Sequence, residues 1–271
     1  MTTTPTMPEK PLAPAFSFIR GPVGCLLVHG FGDTAALMEP MGAHLSALGI
    51  STKGITLPGH GTTLDDFAQT SNPTLLAKVE MEYAKLKKEC ESAVIVGFSM
   101  GGLLALQLGT MREVDGIVTI CAPVYPRGGE AGEKLLKAVA RCGSVFGANI
   151  PKLGMTSLTD KTLSEYLVGY KAYPSQSVLR LLDLMQLTRA VMNRVASPLL
   201  VVQSRRDDVI WKDSGKAIYD SVKSKEKRLI YLENSRHKAP IDKDRHTLFE
   251  EVGKFSLSRA KQPMSSTPDR R

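Results

Sequence analysis

Residues 93–108 constrain the fold more than any other stretch of the chain. Ala93-Val94-Ile95-Val96 is an apolar, β-branched run. Gly97-Phe98-Ser99-Met100-Gly101 follows it, and then Gly102-Leu103-Leu104-Ala105-Leu106-Gln107-Leu108, a strong helix former. A strand, a G-x-S-x-G turn and a helix in that order present a serine on a tight, strained bend, with its hydroxyl clear of the backbone. The glycines are needed because a side chain at 97 or 101 would meet the neighbouring strand or helix. Ser99 is the candidate nucleophile.

The remainder of the chain supplies the layers such a turn requires. Gly24–Val28, Ile50–Ile55, Ala93–Val96, Gly116–Cys121, Leu199–Gln203 and Arg228–Tyr231 read as short apolar strands. Helical periodicity falls between them, over Thr34–Leu48 and Pro73–Glu91, and again over Ile241–Leu257. Strands alternating with helices predict an α/β fold, with a mostly parallel central sheet covered on both faces. The alternation breaks between about Val124 and Val195. No strand is evident there, and helices are expected over Glu133–Arg141, Lys161–Tyr170 and Ser177–Val195. An all-helical insertion between two strands is expected to cap the carboxyl ends of the sheet, where ligands bind. Residues 1–20, with Pro5, Pro8, Pro11 and Pro14, are expected to be a flexible leader, and 259–271 a flexible tail. The folded domain is then expected over residues 21–258.

Composition excludes several function classes. The 271 residues carry a net charge of +8, but the basic residues scatter through helices, loops and both ends. No aromatic stacking set lies among them, so no nucleic-acid partner is expected. A solvated basic surface explains the charge, with weak contact to an anionic membrane surface left open. No apolar stretch approaches the roughly 20 residues of a membrane span. Met1-Thr2-Thr3-Thr4-Pro5 lacks a basic start and an apolar core, so no secretion signal is expected. The four cysteines, Cys25, Cys90, Cys121 and Cys142, show no C-x-x-C spacing and are expected to be reduced thiols in a cytoplasmic protein.

A serine hydroxyl needs a base. Of the five histidines, only His237 lies in the loop after the last strand, where an elbow-bearing sheet places its base. His246 falls in the final helix and His44 in the first. His29 and His60 precede Ser99 beside glycines and read as structural. The orienting acid is expected after the preceding strand, where Asp207 and Asp208 are adjacent; Asp207 is favoured. Such an acid holds the imidazole tautomer and stabilises the imidazolium. An oxyanion hole requires two convergent N–H groups. Met100, after the nucleophile, and Phe31, in His29-Gly30-Phe31-Gly32-Asp33, are expected to supply them through their backbones.

Together these residues resemble the serine-hydrolase branch of the α/β-hydrolase fold, and within it the small bacterial carboxylesterases and monoacylglycerol lipases. The motifs carrying the resemblance are His29-Gly30-Phe31, Pro58-Gly59-His60-Gly61, Gly97-Phe98-Ser99-Met100-Gly101-Gly102, Gly116 through Pro123, Gln203 through Ile210 and Ser235-Arg236-His237. The resemblance implies Ser99, Asp207 and His237 as nucleophile, acid and base, with Phe31 and Met100 at the oxyanion hole. His60 falls on the family's structural loop histidine. Arg236 stands where the family commonly has glycine.

The implied function is a serine carboxylesterase acting on short- to medium-chain esters through an acyl-enzyme. Its partner is a small-molecule ester, with no metal or organic cofactor. Monoacylglycerol or lysophospholipid hydrolysis and aryl (hydroxycinnamoyl) ester hydrolysis are the alternatives, followed by a catalytically silent binding protein of the same fold. Leu181, Leu182, Leu184, Met185 and Leu187 of the insertion are expected to meet the acyl group or to form the buried face of an ordinary helix.

Overall fold

The computed structural model describes residues 15–152 and 158–261. Nine strands occur among them. They are β1 (Phe16–Phe18), β2 (Val23–Val28), β3 (Ser51–Ile55), β4 (Ser92–Phe98), β5 (Gly116–Ile120), β6 (Asn149–Pro151), β7 (Ala172–Pro174), β8 (Leu199–Ser204) and β9 (Lys227–Leu232). Seven of them form the main sheet, in the order β1-β3-β2-β4-β5-β8-β9. Every pairing is parallel except β1 with β3. The helices are α1 (Glu39–Ala47), α2 (Leu64–Gln69), α3 (Asn72–Glu89), α4 (Met100–Met111), α5 (Gly129–Val145), α6 (Ser175–Val191), α7 (Ser214–Ser221) and α8 (Arg245–Leu257).

The period of two in each strand divides the core between the faces of the sheet. Leu26, Val28, Ile95 and Val201 join one buried cluster with α3, α4 and α6. Cys25, Leu27, Val94, Val96, Leu200 and Val202 join the other, with α1 and α8. Strands apolar on both faces are the reason the runs read as continuous hydrophobic stretches rather than alternating ones.

The strand order reverses between β2 and β4. β3 lies to one side of β2, and β5, β8 and β9 lie beyond β4. A crevice opens at such a switch point, outside the carboxyl ends of the strands. The loop after β2 and the turn after β4 both border it.

Residues 16–18 are not part of a flexible leader. They form an antiparallel edge strand on β3, with Phe16 opposite Gly54. The Phe16 ring occupies the space that side chains at Gly42 and Gly54 would need; a Cβ there would come within 2.3 Å and 2.1 Å of it. The signal is invisible in composition because it lies in the partner strand, where a glycine leaves room for an aromatic ring. Residues 1–14 of the expected leader and 262–271 of the expected tail lie outside the described residues. Arg259, at the start of that tail, pairs with Glu226, the residue before β9.

The insertion is helical in α5 and α6. It also carries the antiparallel pair β6–β7, which the sequence reading did not include. The helix expected over Lys161–Tyr170 is a single 3-10 turn, Ser164–Tyr166. Its apolar residues serve tertiary contacts instead: the Tyr170 ring stacks on Phe67 and its hydroxyl donates to the Gly59 carbonyl at 2.7 Å. Leu182, Leu184 and Met185 are buried in the cluster that α6 shares with α4. No helix among the described residues is long and apolar enough to cross a membrane.

Candidate active site

The turn between β4 and α4 forces Ser99 into φ +52°, ψ −119°, a conformation costing a non-glycine residue about 1–3 kcal/mol. The neighbouring glycines permit it. A Cβ on Gly97 would lie 2.2 Å from the Gly101 carbonyl oxygen, and one on Gly101 would lie 2.3 Å from that of Val28. The Ser99 N–H is held by the Ile120 carbonyl at 2.8 Å. The bend thus aims the side chain out of the sheet while the backbone stays anchored.

His237 sits in the loop after β9, and its backbone is fixed by carboxylates downstream. Asp244 accepts from Asn234 N–H at 2.7 Å and Ser235 N–H at 2.8 Å, and Asp242 accepts from Arg236 N–H at 2.7 Å. The imidazole Nδ1 donates to Asp207 Oδ2 at 2.8 Å. A carboxylate only accepts, so the proton belongs on Nδ1 and the Nε2 lone pair faces outward. That Nε2 accepts from the Ser99 hydroxyl at 3.1 Å. The side chains of Asp207 and His237 are 1% and 6% exposed, so water does not compete for these bonds.

Asp207 and Asp208 part sharply. The other oxygen of Asp207 accepts from the N–H groups of Val209 and Ile210 at 3.0 Å and 3.1 Å. Burial alone would raise its carboxyl, but His237 and these two N–H groups hold it below the usual carboxylate range. Asp208 turns away and pairs with Arg236 at 2.8 Å. Arg236, where the family commonly has glycine, is thereby placed on the outer side of the loop.

Phe31 lies in the loop after β2, and Met100 is the first residue of α4. Among the described residues no backbone carbonyl takes up the Phe31 N–H. The Met100 N–H is among the first four of its helix, which have no intrahelical acceptor. The Phe31 ring is wedged between Phe67 and Tyr173, with centroids 4.9 Å and 4.8 Å away. Tyr173, from the insertion, thus holds the loop. A cleft of about 10 Å³, room for about one water molecule, is lined by Phe31, Met100, Phe67, His60, Leu181 and neighbours. Leu181 is the apolar residue of the expected acyl-contacting set that reaches this cleft.

His29 and His60 have the structural character expected of them. His29 Nδ1 donates to the Gly30 carbonyl at 2.8 Å, and its Nε2 accepts from Leu57 N–H at 3.0 Å. His60 Nδ1 donates to the Pro58 carbonyl at 2.9 Å. Burial pushes the first down to about 4 and the second to about 3, so both are neutral imidazoles that brace loops.

Cys121 lies behind the imidazole. Its Sγ and the ligand atoms of Asp207 and His237 fall within 4.8 Å of one another. Burial pushes the Cys121 thiol strongly up, whereas a metal requires the thiolate. Both imidazole nitrogens are already engaged. The trio therefore reads as a hydrogen-bonded cluster rather than a metal centre.

The sequence reading missed the pair beside this cluster. Lys238 Nζ contacts both carboxylate oxygens of Asp33 at 2.6 Å. The two residues are 205 positions apart, and no local pattern connects them.

A mostly parallel sheet, a strained serine turn at its switch point and a histidine hydrogen-bonded to that serine define an α/β-hydrolase of the serine-hydrolase type. The family described as serine aminopeptidase, S33, matches residues 23–244, and the chain belongs to it. A thermostable monoacylglycerol lipase of Bacillus sp. (strain H-257) is 32% identical over 89% of this chain and 93% of its own. A carboxylesterase of Bacillus subtilis (strain 168) is 29% identical over 89% of this chain and 94% of its own. A solved structure from work on LipS and LipT, two metagenome-derived lipolytic enzymes, superposes with a TM-score of 0.82. It is 25% identical and covers 92% of this chain and 98% of that one. The chain is an α/β-hydrolase of the esterase/lipase type.

Proposed function

We propose that the chain is a serine carboxylesterase that cleaves short- to medium-chain carboxylic esters through an acyl-enzyme on Ser99. The observation carrying this reading is the continuous relay Asp207–His237–Ser99, at 2.8 Å and 3.1 Å. His237 Nε2 takes the hydroxyl proton as Ser99 Oγ attacks the ester carbonyl carbon. Asp207 stabilises the imidazolium that forms. The N–H groups of Phe31 and Met100 receive the oxyanion. The tetrahedral intermediate collapses, the bond to the alkoxy oxygen breaks, and His237 returns the proton to the departing alcohol. Water, deprotonated by His237, then attacks the acyl carbon and releases the acid and the free serine.

The cleft beside Phe31 and Met100 carries the apolar side chains of Phe67, Leu75 and Leu181, a lining suited to an acyl group. Hydrolysis of monoacylglycerols is the second reading, favoured by the 32% identity to the Bacillus monoacylglycerol lipase. Rates on a chain-length series of p-nitrophenyl esters and of monoacylglycerols separate the two. A maximum at short p-nitrophenyl chains supports the esterase. A preference for long monoacylglycerols replaces it with the lipase.

A further inference from the structure

Asp33 and Lys238 form the most deeply buried ion pair formed by non-histidine side chains among the described residues. Their side chains are 3% and 4% exposed. Removing two charges from water is costly, and a pair of this kind is weak evidence of a gain in stability. Its position gives it another use. Asp33 ends the loop His29–Asp33 that carries the Phe31 N–H. Lys238 follows His237 directly. The Lys238 ammonium lies 5.3 Å from the Phe98 ring centroid, and that ring lies 5.2 Å from the His237 ring on centroids. Phe98 itself is fully buried and immediately precedes Ser99. The pair thus bridges, around Phe98, the loop proposed to hold the oxyanion and the loop proposed to hold the base.

We infer that Asp33 and Lys238 are positioning residues for ester hydrolysis: their ion pair fixes the Phe31 loop relative to His237, and Asp33 cancels the Lys238 charge so that His237 can carry a proton. The inference rests on the assignment of His237 as the base. An uncompensated ammonium on the Phe98 ring, which itself packs against the imidazole, would oppose the imidazolium that proton transfer creates. Among the described residues, the other charged and titratable groups around His237 are Asp207 and Ser99, its hydrogen-bond partners, and Cys121. Arg236 is neutralised by Asp208. Lys152 and His29 face the Asp33–Lys238 pair; burial, with Lys238 next in effect, pushes Lys152 down to about 8.

The test is the pH dependence of Ser99 labelling by a fluorophosphonate, together with kcat and KM for a p-nitrophenyl ester, in Asp33→Asn and in the double variant Asp33→Asn/Lys238→Met. Asp33→Asn leaves Lys238 charged and unpaired. Its acid limb is expected to move down by about half a unit to one unit, with kcat reduced by about 10–100-fold and KM little changed. The double variant removes both charges and the tie together. Its acid limb is expected at the wild-type position while kcat stays low. Because it removes Lys238 together with its partner, it carries the test if Asp33→Asn alone does not fold. An acid limb unmoved in Asp33→Asn, or wild-type kcat in the double variant, overturns the proposal. His237→Ala, run alongside, keeps the two levels apart. If that variant is still labelled at the wild-type rate, the assignment of the base has failed rather than the role of the pair.

Discussion

His237 Nε2 stands 3.1 Å from Ser99 Oγ, although 138 residues separate the two in the chain. The turn after β4 and the loop after β9 meet only because the intervening strands β5 and β8 lie side by side in the sheet. The site is a product of topology, and its members respond differently to substitution.

Asp207→Asn is expected to lower kcat by about 10³–10⁴-fold, because the amide favours the wrong imidazole tautomer. Asp208→Asn is expected to cost less than about threefold, because its carboxylate pairs with Arg236 on the outer side of the loop. Steady-state kinetics on one p-nitrophenyl ester check both. A larger loss at 208 reverses the assignment.

The buried histidines predict an acid-sensitive fold. The folded values of His29 and His60, about 4 and about 3, lie below the ordinary value of 6.5. Between those limits the unfolded chain binds protons that the folded chain does not. Their contribution is therefore full above pH 6.5 and is lost as pH falls toward 4 and 3. Each group adds a slope of up to about 1.4 kcal/mol per pH unit in that window. Urea midpoints measured from pH 7 to pH 4.5 are expected to fall less steeply in His60→Gln than in the wild type. Parallel curves would remove His60 from this role.

Phe16→Ala is expected to destabilise by about 1–2 kcal/mol, lowering Tm by about 2–8 °C, because the ring fills the space over Gly42 and Gly54. Deletion of residues 1–18 removes the whole of β1 and is expected to lower Tm at least as far. Calorimetry on the two variants checks this. The sequence alone suggested the opposite outcome for the deletion, since prolines dominate residues 1–14 and the partner of Phe16 lies across the sheet.

Leu181→Trp is expected to shift the preferred p-nitrophenyl ester to shorter chains, mainly through KM, because Leu181 lines the cleft beside Phe31 and Met100. Leu182→Glu is expected to unfold the chain instead, because Leu182 is fully buried in the core. A chain-length profile unchanged in Leu181→Trp would place the acyl group elsewhere.

What was legible in the sequence follows from what is local. Ser99 was readable because the strand, the glycines and the helix that shape its turn are contiguous. The parallel sheet was readable because its strands are apolar on both faces. The placement of Asp207 and His237 beside Ser99 follows from the order of strand ends, and it is Asp207 rather than Asp208 whose carboxylate meets the imidazole. Three features were hidden for a common reason: each depends on a partner distant in sequence. β1 depends on Gly54. The 3-10 turn in place of a helix at 161–170 depends on Tyr170 stacking on Phe67. The Asp33–Lys238 pair depends on two loops that meet only in the folded sheet. In the insertion, helical periodicity showed that α6 buries a face but not which of its leucines faces the cleft.

The most direct test of the central claim is mass-spectrometric mapping of a fluorophosphonate adduct at pH 7.5 in the wild type, His237→Ala and Ser99→Ala. The wild type is expected to carry one adduct, on Ser99. His237→Ala is expected to react at least about 10³-fold more slowly, and Ser99→Ala not at all, with circular dichroism unchanged in both. An adduct on any residue other than Ser99, or rapid labelling of Ser99 without His237, would contradict the proposed chemistry.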